Sequence, residues 1–285
     1  MPPTASRIDL HLHTTHSDGS LPPAEVVALA KQASVVALAI TDHDILSGIA
    51  EAAEAGRAVG IEVIPGVEIS SRYGDSELHM LGYYLDVSDR TLADRLAQLR
   101  AGRRDRNPRI IERLRALDME ITYEEVAALA GTESVGRPHI ARVLMQKGYV
   151  QSAKEAFDRY LAEGRPAHVA RELPEPAEAI RWIREAGGVP VLAHPLWTKL
   201  NEQGLLTLCQ TLKNEGLGGI EVHYSTHKKS QTSEYLNIAK RLDLLVTGGS
   251  DFHGVTKPDI EVGVGRGGLK VSPKLLEPLQ KAAAA

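Results

Sequence analysis

Cysteine is almost missing from this chain. Cys209, inside "LLTLCQTL", is the only one in 285 residues, so no internal disulfide and no thiolate metal cage can form. It reads as a small core residue, and a chain without disulfides fits a reducing, cytoplasmic compartment. Aromatics are scarce too, at 4 % of the composition with 2 Trp, 2 Phe and 8 Tyr. Tracts that stack single-stranded nucleic acid are usually richer, which speaks against a processive nuclease. No sign of charge dominates, since the net value is -4, so any anion binding must come from local clusters. No apolar run approaches the ~20 residues of a membrane span. The opening "MPPTASRIDL" lacks the apolar stretch of a signal peptide. These absences point to a cytoplasmic enzyme or binding protein with no membrane contact, and no specific protein partner is implied.

What is present is a rhythm. Apolar runs recur at 8–10, 35–40, 62–69, 78–85, 188–193, 218–222 and 244–249. Alanine-rich amphipathic stretches at 23–33, 47–60 and 176–188 lie between them, opening on proline or serine and stopping at glycine. Strand and helix alternate, which predicts a largely parallel α/β sheet. From about 87 to 170 the rhythm breaks into consecutive helical patterns without β-type runs. The reading is a discontinuous α/β core over 1–86 and 171–285, carrying a helical insertion at 87–170 that would cap the substrate.

The polar residues sit where the apolar runs end. His11 and His13 end the first, Asp42-His43-Asp44 the second and Glu68 the third. His79 lies in the fourth, His194 ends the fifth, Glu221 and His223 the sixth, and Asp251 and His253 the seventh. In an α/β barrel the strand C-termini converge on one face, where the active site lies. The pairs His11/His13 and Asp251/His253 are two apart, so in extended chain each pair points one way. Any one of these histidines alone would read as a hydrogen-bonded or surface group. Seven successive strand ends bearing His or acid read as a multinuclear metal site. A His and carboxylate set without sulfur suits Mn, Zn, Fe or Mg, with Mn the first choice, and two to three divalent ions are expected.

The stretches "DLHLHTTHSDG", "TDHD", "GVEIS", "ELHMLGY", "AHP" and "SDFHG" resemble the successive motifs of the PHP (polymerase and histidinol phosphatase) superfamily, from Ile8 to Gly254. "GRPHIA" at 136–141 resembles a subgroup of bacterial phosphoesterases that act on nucleoside 3′,5′-bisphosphates, with related members trimming short RNA from the 5′ end. The resemblance implies a distorted (β/α)7 barrel and up to three metals. One would take His11, His13, Glu68 and Asp251. A second would share Glu68 and take His79 and His194. A third would take Asp18, His43 and His253. All nine positions are filled here.

The resemblance implies a metal-dependent phosphomonoesterase, with Asp18, His43 and His194 the candidates for catalytic roles and His43 a general acid if the third metal is absent. A bisphosphate needs a second anion site. From Arg90 to Arg115 nine arginines face three acids, which reads mostly as a solvated helix face. Arg137 and Arg165, each at a Gly/Pro break, are sharper candidates for a phosphate fork. His139 and His223 are further candidates to touch a small nucleotide or short oligonucleotide, and His16 is read as a bystander. The competing expectations are a histidinol-phosphate phosphatase and a non-catalytic metal- or nucleotide-binding module.

Overall fold

The computed structural model describes residues 6–74 and 76–284. Seven strands form one sheet in chain order: β1 (Arg7–Leu12), β2 (Val35–Ile40), β3 (Glu62–Tyr73), β4 (Ser76–Tyr83), β5 (Val189–Leu192), β6 (Gly219–Tyr224) and β7 (Leu245–Gly249). The ends meet. The Asp251 N–H donates to the His11 carbonyl at 2.9 Å and the His13 N–H to the Phe252 carbonyl at 3.1 Å, so the chain just past β7 pairs with β1 and nearly closes a barrel. Ile8, Leu10, Ala37, Ala39, Ile64, Leu81, Val189 and Val191 fill its interior, with Leu279 of the C-terminal helix at the base.

The sheet is not uniformly parallel. β4 runs antiparallel to both β3 and β5. A parallel neighbour needs a crossover of a dozen or more residues, whereas only residues 74 and 75 separate β3 from β4. β3 is also longer than its apolar run, so Glu68 lies in mid-strand rather than at an end. Reversal of β4 carries its N-terminal half, with His79, to the mouth that the other strands reach with their C-termini. At the far end of the same strand Tyr83 lies opposite Val189 of β5.

β1 changes facing midway. Leu10 packs with Ala37 and Ala39 inside the barrel, but Leu12 packs with Leu38 and Ile40 under the outer helices. The pairing register shifts between Asp9 and Leu12. This irregularity turns His11 and His13 inward.

Helices α1 (Pro23–Gln32) and α2 (Ile49–Val59) cover β1–β3. α3 (Arg90–Arg115), α4 (Tyr123–Ala130) and α5 (Arg137–Gln146) follow β4. α3 starts on Asp89, whose side chain accepts the Leu92 N–H at 2.7 Å. It belongs to two cores. Leu92, Leu96 and Leu99 join the cluster on the barrel, while Ile110, Ile111 and Leu114 join Val126, Ile140 and Leu144 in a separate one. Between the two stands the run from Arg100 to Arg106. Among the described residues no helix is long and apolar enough to cross a membrane.

Candidate metal centre and its arginine flank

Glu68 is the hub of the barrel mouth. Its Oε2 lies 3.1 Å from Nε2 of His11, 3.1 Å from Nε2 of His13 and 3.3 Å from Nδ1 of His43. Its Oε1 lies 2.7 Å from Nδ1 of His79 and 2.8 Å from Nε2 of His194. One buried carboxylate thus presents each oxygen to a different set of imidazoles, the arrangement by which a carboxylate bridges two cations. Asp251 Oδ1 stands 3.3 Å from His13 Nε2 and 3.3 Å from His253 Nδ1. Asp18 Oδ1 stands 3.2 Å from His253 Nε2, and its Oδ2 3.7 Å from His43 Nε2. All nine residues singled out by sequence come together.

Donor atoms gather within 4.8 Å of one another in four groups: His13/Asp18/His43/His253, His11/Glu68/His194, His11/His13/Asp251 and His43/Glu68/His79. Ligand atoms about 2.1 Å from a shared ion stand about 3.0–3.4 Å apart, so these spacings fit divalent cations. A second observation agrees. His13 Nε2 and His43 Nδ1 are buried without a hydrogen-bond partner, although carboxylate oxygens lie close by. A buried orphan nitrogen is costly; a lone pair aimed at a cation resolves the cost.

The backbone is bent to aim these groups. Asp44, His194 and Asp251 have positive φ of 56°, 26° and 57°. Such strain in non-glycine residues concentrates at functional sites. Gly249, at the end of β7, sits so close to His11 that a Cβ would overlap its backbone.

Supporting groups hold the ligands. His11 Nδ1 bonds Glu221 Oε1 at 2.9 Å, and the His194 N–H donates to Glu221 Oε2 at 2.7 Å. Asp42 accepts the Thr14 N–H at 2.8 Å and the Ser17 hydroxyl at 2.5 Å, stapling the loop between His13 and Asp18. Tyr224 donates its hydroxyl to Asp251 Oδ2 at 2.6 Å, with the Lys257 ammonium beside it at 2.5 Å. Outer partners of this kind fix ligand orientation. His16 is in the turn, its Nδ1 bonded to Ser47 Oγ at 2.6 Å.

Electrostatics divides the histidines. Burial disfavours charge on His13, His43 and His79 alike. Asp251 and Glu68 outweigh it at His13, which rises to about 9. Glu68 and Glu77 outweigh it at His79, which rises to about 10. At His43 burial wins, helped by neighbouring His13 and His79, and the value drops to about 3. A neutral imidazole is the form that can offer a lone pair to a cation, so His43 has the charge state a metal site would require.

Beside the hub lies a cationic flank. Arg103 donates from Nη2 to Asp44 Oδ2 at 2.6 Å and to Ser70 Oγ at 2.9 Å. Arg137 Nη2 meets Glu77 Oε2 at 2.6 Å. Arg171 Nη2 is 3.6 Å from both Asp44 and Glu77, and its Nε and Nη2 are buried without a hydrogen-bond partner. Burial, with Arg137, Arg103 and Arg171 around it, pushes Arg106 down to about 8. Three guanidiniums thus share two carboxylates, while the fourth, Arg106, donates from Nη2 to Asn107 Oδ1 at 2.9 Å. Glu77 links the flank to the metal cluster, 3.7 Å from His79 Nε2.

Arg103, Arg106 and Arg171 were not singled out from sequence, and the arginines of α3 are not simply a solvated face. The signal was there. Leu92, Leu96, Leu99, Arg103, Arg106, Ile110 and Leu114 follow one stripe at helical spacing, with arginine at two core positions. The other candidates stand apart from the hub to different degrees. Arg165 is exposed in a turn and, among the described residues, makes no hydrogen bond or ion pair with the cluster. His223, half-buried on β6 past a register shift, makes none either. His139 is buried, and its Nδ1 accepts the Gly136 N–H at 3.0 Å. It fixes the turn that carries Arg137 and lies near enough to Asp18 to feel its charge.

A barrel mouth that gathers six histidines and three carboxylates, with Glu68 at the centre, is the site of a metal-dependent phosphoric ester hydrolase. The chain belongs to the PHP domain family, which matches over residues 9–175. It is similar to a 5′-3′ exoribonuclease of Haemophilus influenzae, 37 % identical over 247 residues, which covers 87 % of this chain and 90 % of that one. It is also similar to a 3′,5′-nucleoside bisphosphate phosphatase of Chromobacterium violaceum, 33 % identical over 269 residues, with 90 % and 91 % covered. Among solved structures, an amidohydrolase from Chromobacterium violaceum with bound sulfate superimposes with a TM-score of 0.90 at 31 % identity, covering 97 % of each chain.

Proposed function

We propose that this protein hydrolyses the 3′-phosphate of nucleoside 3′,5′-bisphosphates, and that the same site releases 5′-mononucleotides from short 5′-phosphorylated RNA. The observation that carries the reading is the arginine flank beside the hub. Arg103, Arg106, Arg137 and Arg171 outnumber their two carboxylates, and Arg171 keeps buried N–H groups unsatisfied. A second phosphate answers both deficits, because guanidinium forks bind phosphate bidentately.

His11, His13, Glu68 and Asp251 would hold one divalent cation, Glu68 with His79 and His194 a second, and Asp18, His43 and His253 a third, with Mn preferred over Zn, Fe or Mg. When bound, such ions neutralise phosphoryl charge and bring the pKa of water to about 7. The chain's own residues then orient the substrate. The arginines take the 5′-phosphate, which places the 3′-phosphorus over Glu68. In both substrate types the bond broken joins the 3′-oxygen to phosphorus. Water oxygen bonds phosphorus, and the departing 3′-oxygen gains a proton. Glu221 and Asp42 keep the ligand loops fixed while charge shifts. The cationic flank argues against histidinol phosphate, whose amine carries positive charge.

A phosphate-release comparison of adenosine 3′,5′-bisphosphate, 3′-AMP, 5′-AMP, histidinol phosphate and a 5′-phosphorylated dinucleotide tests this. The bisphosphate is expected to exceed 3′-AMP in kcat/KM by about tenfold to hundredfold, the worth of a charge-assisted contact. Equal rates on the two would overturn the reading.

A further inference from the structure

Trp197 follows the ligand His194 by three residues and is 53 % exposed, yet it is not loosely held. It lies in the 3-10 turn Pro195–Thr198, where its N–H donates to the His194 carbonyl at 3.1 Å. The Thr198 hydroxyl locks the turn onto the Pro195 carbonyl at 2.8 Å. The indole interacts with the Tyr224 hydroxyl. Tyr224 in turn sits 5.6 Å from the His194 ring and bonds Asp251. Trp182, the other tryptophan, is partly buried against the barrel cluster. A large aromatic that is held rigid with half its surface open has no packing reason to be there.

Its position gives it one. Strands β1 to β7 follow in order around the barrel. The arginines gather over the exits of β2 and β3 and the start of β4, through Asp44, Ser70 and Glu77. Trp197 and Tyr224 stand over the exits of β5 and β6, on the other side of Glu68. A substrate with its 5′-phosphate on the arginines and its 3′-phosphorus over the hub meets that second arc if it continues straight across the mouth. A bisphosphate ends there. In RNA the phosphorus carries the 5′-oxygen of the next nucleotide, which stays on the phosphate when the 3′-oxygen departs.

We propose, resting on the reading of the preceding section, that the open face of Trp197 stacks the base of the nucleotide on the 3′ side of the scissile phosphate. This subsite is what admits RNA as well as a bisphosphate. Base–aromatic stacking tolerates any base, so sequence preference should be weak.

The test measures KM for a 5′-phosphorylated adenylate dinucleotide and for adenosine 3′,5′-bisphosphate in metal-loaded wild type, Trp197→Ala and Trp197→Phe. Loss of the platform should raise the dinucleotide-to-bisphosphate KM ratio about five- to hundredfold in Trp197→Ala. Trp197→Phe, which keeps a π-face, should stay within about threefold of wild type. In metal-free protein the dinucleotide should quench indole fluorescence, and Trp197→Phe should lose that quenching, with Trp182 as internal reference. An unchanged ratio in Trp197→Ala overturns the proposal, as does a parallel loss on both substrates, which marks Trp197 as a support for His194. Bisphosphate hydrolysis without dinucleotide quenching sinks this subsite alone; failure on both substrates sinks the phosphatase reading itself.

Discussion

The two charged regions at the barrel mouth are built on opposite terms. In the hub, five imidazoles converge on one carboxylate at 2.7–3.3 Å, and the residual orphans are ring nitrogens of His13 and His43. In the flank, guanidiniums exceed carboxylates, and the orphans are N–H donors on Arg171. The hub offers its donor atoms to cations, and the flank offers its N–H groups to an anion. Each region thus favours a ligand of opposite charge, and the two together are what the proposed bisphosphate substrate rests on.

Breaking the hub should have the largest effect. Glu68→Gln removes the charge that serves five histidines, so metal content should fall below one equivalent and turnover by several orders of magnitude, because the site loses its bridge. Elemental analysis with circular dichroism checks this; near-normal metal and turnover would place the bridge elsewhere. Breaking the flank should be milder. Arg137→Ala should raise KM for the bisphosphate about tenfold while changing hydrolysis of a simple aryl phosphate much less. Equal losses on both would merge the two regions into one. The smallest effect sharpens the hub's own character. His13 and His79, held near 9 and 10, carry protons that a cation must displace. Metal retention on dialysis should therefore weaken as pH falls from 9 to 6, by about tenfold in affinity per unit for each proton displaced. Retention that is flat with pH would remove these two from the ligand set.

Much of the hub was legible because its residues end apolar runs, and a barrel gathers such ends. The reversal of β4 was half legible. The short gap between the runs at 62–69 and 78–85 leaves no room for a crossover, but a parallel rhythm elsewhere obscured it. The flank was harder. Helical spacing tells which residues of α3 share a face, and not what that face meets. Arg103 and Arg106 look solvated until the second core formed by Ile110, Leu114 and Ile140 is seen to hold them over the mouth. Arg171 lies in irregular chain, where periodicity says nothing. Glu221 was visible as the acid ending the sixth run, but its bonds to His11 and His194 were not, nor was that of Tyr224 to Asp251, because these partners are more than twenty residues away.

Tyr83 and Val189 face each other across antiparallel strands. Everything from residue 84 to residue 188 is, in topological terms, the loop of a β-hairpin that two residues could close. The entropy of closing such a loop grows only with the logarithm of its length. The closure of the barrel is thus nearly indifferent to how much chain passes there, and the part of that excursion with its own core, around Ile110, Leu114 and Ile140, can lengthen or shorten with little effect on the hub.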